Sequence, residues 1–169
     1  MSDVSNARST EPEMDRITLA SLAEPRPFGC LERAIAEMNK DFARPSMPLL
    51  ELSNLVSVSS AKEGQDWPNA GLPGVYVLLT KGQAVLYVGC ALNTLHDRLN
   101  DYFYANGKPK PNAKAWASDV EFVATIGIPN RNRFEALAIE EFLIERLCPP
   151  KNQDGRYRSS LTWQAFQNE

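Results

Sequence analysis

Apolar positions first fall into a regular rhythm after Phe28. Leu31, Ile35, Met38 and Phe42 recur at steps of four, three and four residues, the spacing of one helical face. Pro45 and Pro48 follow as stops, so the pattern predicts a helix over about 28–43. The next apolar positions, Leu49, Leu50, Leu52, Leu55, Val56 and Val58, fit a strand or a short helix, and periodicity does not decide between them. Residues 59–73 (SSAKEGQDWPNAGLP) read as a loop. The β-branched and aromatic runs at 74–80 (GVYVLLT) and 84–88 (AVLYV) are separated only by Lys81, Gly82 and Gln83, which predicts a hairpin. Helical spacing returns over 92–104 at Leu95, Leu99, Tyr102 and Phe103, with Asn93 as the expected N-cap. A Gly/Pro/Lys-rich connection at 105–117 leads to an alternating third strand at 119–126 (DVEFVATI). Residues 134–147 predict a helix with Leu137, Ile139, Leu143, Ile144 and Leu147 facing inward, stopped by Pro149 and Pro150. A last amphipathic segment (Leu161, Trp163, Phe166) is expected to pack back as a short helix.

These elements predict an α/β (α+β) fold. Its expected core is a small three-stranded sheet flanked by helices in β-β-α-β-α-α order. The expected organisation is a disordered tail at 1–15, an N-terminal extension at 16–72 containing the first helix, a core at 73–158, and a short C-terminal helix at 159–169. A chain of 169 residues has room for one core and a modest appendage. It has no apolar run of membrane-spanning length and no secretory pattern at its start, so the expectation is a cytoplasmic protein with no membrane association. Its three cysteines, Cys30, Cys90 and Cys148, fit neither a disulfide framework nor a zinc pattern.

Charge is unevenly spread. The chain carries a net −3, but residues 1–72 hold seven Lys/Arg against eleven Asp/Glu, whereas 73–158 hold eleven against nine. The expected core is therefore mildly basic, which is compatible with nucleic-acid binding and insufficient by itself for a tight grip.

The residues with chemical potential cluster in that core. Gly74-Val75-Tyr76 opens the first hairpin strand and Tyr87-Val88-Gly89 closes the second, the second tyrosine lying eleven positions after the first. Arg98 follows within LHDRLNDYF, and EALAIEEFLIERLCPPKN carries Glu140 twelve residues before Asn152. In order and spacing these positions resemble the GIY-YIG nuclease superfamily, and 73–153 is similar to the bacterial excision-repair incision subunit. The resemblance implies metal-dependent hydrolysis of phosphodiester bonds in DNA by a single-metal mechanism, with Mg²⁺ or Mn²⁺ bound by Glu140. It also implies that Arg98 contacts the phosphate and that Tyr76 is the first candidate for general base, with Tyr87 supporting or replacing it. Gly74, Gly89, Tyr102 and Asn152 are implied as supporting residues. Lys108, Lys110, Lys114, Arg131 and Arg133 are further candidates for nucleic-acid contact.

Two departures from the family pattern stand out. Cys90 follows the YVG triplet where repair relatives often have Lys, and Arg98 lies one residue further from Gly89 than is commonest. His96, two residues before Arg98, is expected on the helix surface, and Asp97 and Asp101 are candidate ion partners of Arg98. The preferred reading is an endonuclease; the alternative is a catalytically weakened GIY-YIG domain that binds nucleic acid or protein. Residues 16–72 are a candidate surface for a protein partner or self-association. DNA is the expected substrate over RNA.

Overall fold

A computed structural model describes residues 26–43, 45–59, 66–103 and 108–152 of the chain. The expectations for the tail at 1–15 and the short helix at 159–169 fall outside these described residues. Helix α1 spans Phe28–Asp41 and buries Leu31, Ala34, Ile35 and Met38, the stripe its periodicity dictates. Strand β1 is only Val56–Ser57; β2 is Gly74–Leu79 and β3 is Val85–Ala91. Helix α2 is Leu95–Tyr102, strand β4 is Phe122–Gly127, and helix α3 is Glu135–Leu147.

The sheet has four strands in the order β1-β4-β2-β3, with every pairing antiparallel. This corrects the three-stranded expectation. The fourth strand comes from the ambiguous apolar stretch, where Val56 pairs with Val123 and Ser57 with Phe122. A two-residue edge strand has too little pattern of its own; its partner, some 65 residues away, defines it. The order along the described chain is accordingly α-β-β-β-α-β-α, with the first helix and strand supplied from before residue 73.

Those early elements are integral to the core. Arg26 accepts a backbone bond from Val85, and Phe28 donates one to Gln83, tying the start of α1 to the hairpin. Asn39 brackets the backbone of Leu50 with two hydrogen bonds of 2.9 and 2.7 Å. Glu37 pairs with Arg146 of α3.

Central strand β2 is buried along its whole length. Val75, Val77 and Leu79 join α1 and α3 in one apolar cluster, while Tyr76 and Leu78 join α2 in the other. This is the period-two alternation of a strand covered on both faces. On α3 the inward expectation holds for Ile139, Leu143 and Leu147 but not for Leu137, which is 52% exposed; Ala136 and Glu135 are buried instead. Helix α3 presents a stripe set by its contacts with β3 and α1, and Leu137 lies outside that stripe. No helix among the described residues is long and apolar enough to cross a membrane.

Candidate active site

Three tyrosines meet on the α2 face of the sheet. Tyr76 is fully buried, and its hydroxyl donates to the Tyr102 hydroxyl at 3.3 Å. The ring of Tyr87 lies 6.1 Å from that of Tyr76 and 6.3 Å from that of Tyr102. Tyr87 reaches this face because of a β-bulge. Leu78 pairs with Tyr87 but Leu79 pairs with Val85, so Leu86 is the extra residue. Without it, strict alternation would put Tyr87 on the same side as Val85, which packs in the opposite cluster. Gly89, directly across from Tyr76, makes room for that phenol: a Cβ there would lie 2.3 Å from the Tyr76 hydroxyl. The close approach that Gly89 permits is therefore one by the protein's own tyrosine.

Helix α2 carries Arg98, and its start is fixed by several backbone acceptors. Leu95 and His96 donate to the carbonyls of Leu72 and Ala70. The N-cap is Thr94 rather than Asn93, and Thr94 Oγ1 accepts from the Asp97 amide at 3.1 Å. The guanidinium sits over the Tyr102 ring, 5.6 Å from its centroid, and pairs with Asp101 at 3.5 Å. Asp97 is engaged by Thr94 instead, at 2.6 Å. His96 is exposed and faces Asn100 at 2.8 Å, as its helical position implied.

The electrostatics bind these groups into one unit. Burial, reinforced by Tyr102 and Tyr87, drives the Tyr76 phenol far above its ordinary range, and Arg98 acts against that rise. Tyr87 is raised by burial first and by Tyr102 next, and Glu140 adds to the effect. Arg98 is shifted up chiefly by the Tyr76 oxygen. Glu140 lies on α3, behind the opposite face, and reaches Cys90 of β3. Burial raises its carboxyl pKa, while hydrogen bonds from the Cys90 thiol and amide and the charge of Arg98 lower it in part. Burial, then the bond to Glu140, pushes the Cys90 thiol up to about 12, so it remains a neutral donor. The tyrosines and Arg98 on one face and Glu140 on the other thus meet around β3, the edge strand.

Asn152 secures that edge. Its Oδ1 accepts from the Val88 amide at 2.8 Å and its Nδ2 donates to the Val88 carbonyl at 2.7 Å, in place of a neighbouring strand. Asn152→Ala is expected to cost about 1–3 kcal/mol and to accelerate hydrogen exchange at the Val88 amide. An unchanged Val88 exchange rate would show that the clamp is not made in solution.

The remaining candidates lie on two other segments of the chain. Lys108 and Lys114 are exposed and Lys110 is half-buried on the 108–119 segment. Arg131 and Arg133 are exposed just before α3, where Arg131 Nε donates to Asn132. The connecting segment also supplies a residue that pattern reading passed over. Trp116, on the turn Ala115–Asp119, stacks on Tyr87 with centroids 5.0 Å apart. The available signal was a tryptophan inside an otherwise polar, Lys-rich connection.

Residues 72–153 match the family described as the UvrC-like GIY-YIG domain. This segment is a GIY-YIG domain. It is 41% identical over 81 residues to the UvrABC system protein C of Psychrobacter sp. strain PRwf-1, a stretch covering 48% of this chain and 12% of that protein. The same-named protein of Psychrobacter cryohalolentis is 40% identical over 88 residues, 52% of this chain and 13% of the relative. That of Acinetobacter baylyi is 41% identical over 83 residues, 48% and 13% respectively. The chain therefore spans only about an eighth of the length of these curated relatives. Helix α1 and strand β1 complete the GIY-YIG sheet and core from outside the matched segment.

Proposed function

We propose that this protein is a metal-dependent endonuclease that hydrolyses phosphodiester bonds in DNA. The observation that carries the proposal is the convergence of three phenols, one guanidinium and one half-buried carboxylate around β3, in a domain of the UvrC-like kind. Arg98 offers N–H donors to the non-bridging phosphate oxygens and stabilises the charge that grows on them. Of the two hairpin tyrosines, Tyr87 retains surface and Tyr76 has none. We assign the meeting with the attacking water to Tyr87, and to Tyr76 the part of its buried support. In its deprotonated form, the phenol proton having been given up to solvent, the Tyr87 oxygen would accept the water's proton as the new P–O bond forms. The departing oxygen takes a proton from solvent as the old P–O bond breaks.

The donor set fits a hard divalent cation. Among the described residues no three His, Cys, Asp or Glu side chains gather as a metal cluster. Glu140 is a single carboxylate, which suits Mg²⁺ or Mn²⁺ retaining waters and taking substrate oxygens in its other positions. Such an ion supplies charge neutralisation at the phosphate and favours the deprotonated phenol. Lys108, Lys110, Lys114, Arg131 and Arg133 are assigned to the DNA backbone on either side.

Plasmid nicking with Mg²⁺ or Mn²⁺ tests the reading, with EDTA as control and linear, single-stranded and branched DNA as further substrates. EDTA-sensitive nicking is expected. Its absence on every substrate would leave the alternative, a GIY-YIG domain used for binding. The raised Glu140 pKa gives a second expectation. The cation competes with a proton for this carboxylate, so apparent Mg²⁺ affinity falls as pH drops. The fall sets in at a pH above that expected for an ordinary carboxyl of pKa 4.5. Calorimetric Mg²⁺ titrations across pH measure this, and a pH-independent affinity would remove Glu140 as the ligand.

A further inference from the structure

Tyr87 stands on the sheet's edge strand: among the described residues β3 has a strand neighbour on one side only. On that side the ring is flanked by Tyr76, and Tyr102 lies over it from α2. A half-buried aromatic on an edge strand, packed from one side alone, keeps rotamer freedom. Trp116 removes that freedom. Its ring lies 5.0 Å from Tyr87 at an interplanar angle of 30°, a stacked arrangement, and 6.0 Å from Tyr102 at 35°. The turn that carries it is pinned at several points. Ala117 is 1% exposed and its amide donates to Lys114 at 2.8 Å. The Lys110 amide donates to the Tyr102 carbonyl at 2.8 Å, and Pro109 bridges Phe103. The indole is thus held by backbone contacts to the end of α2, the helix that carries Arg98 and Tyr102.

We propose that Trp116 is a positioning residue for Tyr87. It closes the outer side of the phenol and sets the direction of its hydroxyl relative to Arg98. This rests on the nuclease reading for its consequence, although the geometric claim stands apart from it. The indole packs on two of the tyrosines, so its loss is expected to act on turnover and not on DNA affinity. Misplacing a reacting group by about 1 Å costs on the order of 10²-fold in rate.

The experiment compares Trp116→Leu and Trp116→Phe with wild type. Single-turnover plasmid nicking gives the rate. Anisotropy of a fluorescein-labelled duplex in EDTA gives the affinity. The Leu variant is expected to lose about 10- to 100-fold in rate with duplex affinity within about twofold, and Phe to recover most of the rate. Weaker duplex binding with an unchanged saturated rate would overturn the proposal and make the indole a base platform instead. An unchanged rate in the Leu variant would overturn it as well. Spectra of ring-labelled tyrosine supply a readout that needs no activity. The Tyr87 signal, shifted by the stacked indole in wild type, is expected to move in the Leu variant and to remain largely in place with Phe. If wild type cuts nothing, the nuclease reading fails by itself, and the Tyr87 signal still decides: its indifference to the Leu substitution would refute the positioning.

Discussion

Glu140→Gln is expected to abolish DNA cleavage, lowering the rate by at least about 10³-fold, equivalent to roughly 4 kcal/mol of transition-state stabilisation. The change is nearly isosteric. A glutamine oxygen still accepts from the Cys90 amide and thiol, the donors that hold Glu140 against β3. Removing the charge also removes the burial penalty that raises the Glu140 pKa, so folding stability is expected to hold or rise slightly. A large loss of activity with an unchanged melting temperature therefore assigns the effect to the carboxylate. Plasmid nicking beside thermal unfolding reads both. If the variant keeps more than about a tenth of the wild-type rate, a loss under about 1.4 kcal/mol, Glu140 is not the metal ligand and the single-carboxylate mechanism is wrong.

The largest effect on stability is expected at Gly74. A Cβ there would lie 2.1 Å from the Ile126 carbonyl oxygen, 3.1 Å from its carbon and 3.2 Å from Leu95 Cδ1. Two of these contacts are backbone of the paired strand. Strand β2 cannot yield, because it is hydrogen-bonded to β3 on one side and β4 on the other. Leu95, the third contact, is fully buried in the first turn of α2. Gly74→Ala is therefore expected to destabilise by about 3 kcal/mol or more, either by unpairing β2 from β4 or by moving α2 away. Gly71→Ala is the matched control, since a Cβ there meets nothing within 4 Å. Urea denaturation compares them, and equal midpoints would contradict the packing described at Gly74.

Cys90 connects the two arguments. It occupies the position after YVG where the repair relatives it resembles often carry Lys, and here it holds Glu140 as a neutral donor. A hydrogen bond from Cys90 thus stands beside Glu140 in place of a positive charge. The charge of Arg98 then acts on both Tyr76 and Glu140.

Much of this was legible in the chain alone because the relevant signals are local. The periodicities of 28–42 and of the GVY…YVG hairpin each arise within one element, and α1, β2, β3, β4 and α3 lie close to where those patterns predict. Glu140 could be singled out from Glu141 and Glu145 by its spacing to Asn152. Three features could not be read. Strand β1 exists only by pairing with β4. Leu137 follows the helical apolar rhythm, yet α3 turns it outward because the neighbours available for burial lie elsewhere. The role of Asn152 as a clamp on Val88 depends on the chain folding back to an edge strand 64 residues earlier.

The sequence by itself determined helices α1, α2 and α3, the hairpin, the type of domain and the residue types proposed to carry its chemistry, since each is written in short-range spacing. Tertiary structure decided which of those residues meet. The bulge at Leu86 turns Tyr87 onto the face of Tyr76, and the pinned turn at Ala115–Asp119 brings Trp116 against it. The physical reason is the same in both cases: facing and contact depend on register and packing between distant segments, and a one-residue shift in a strand reverses every side chain beyond it.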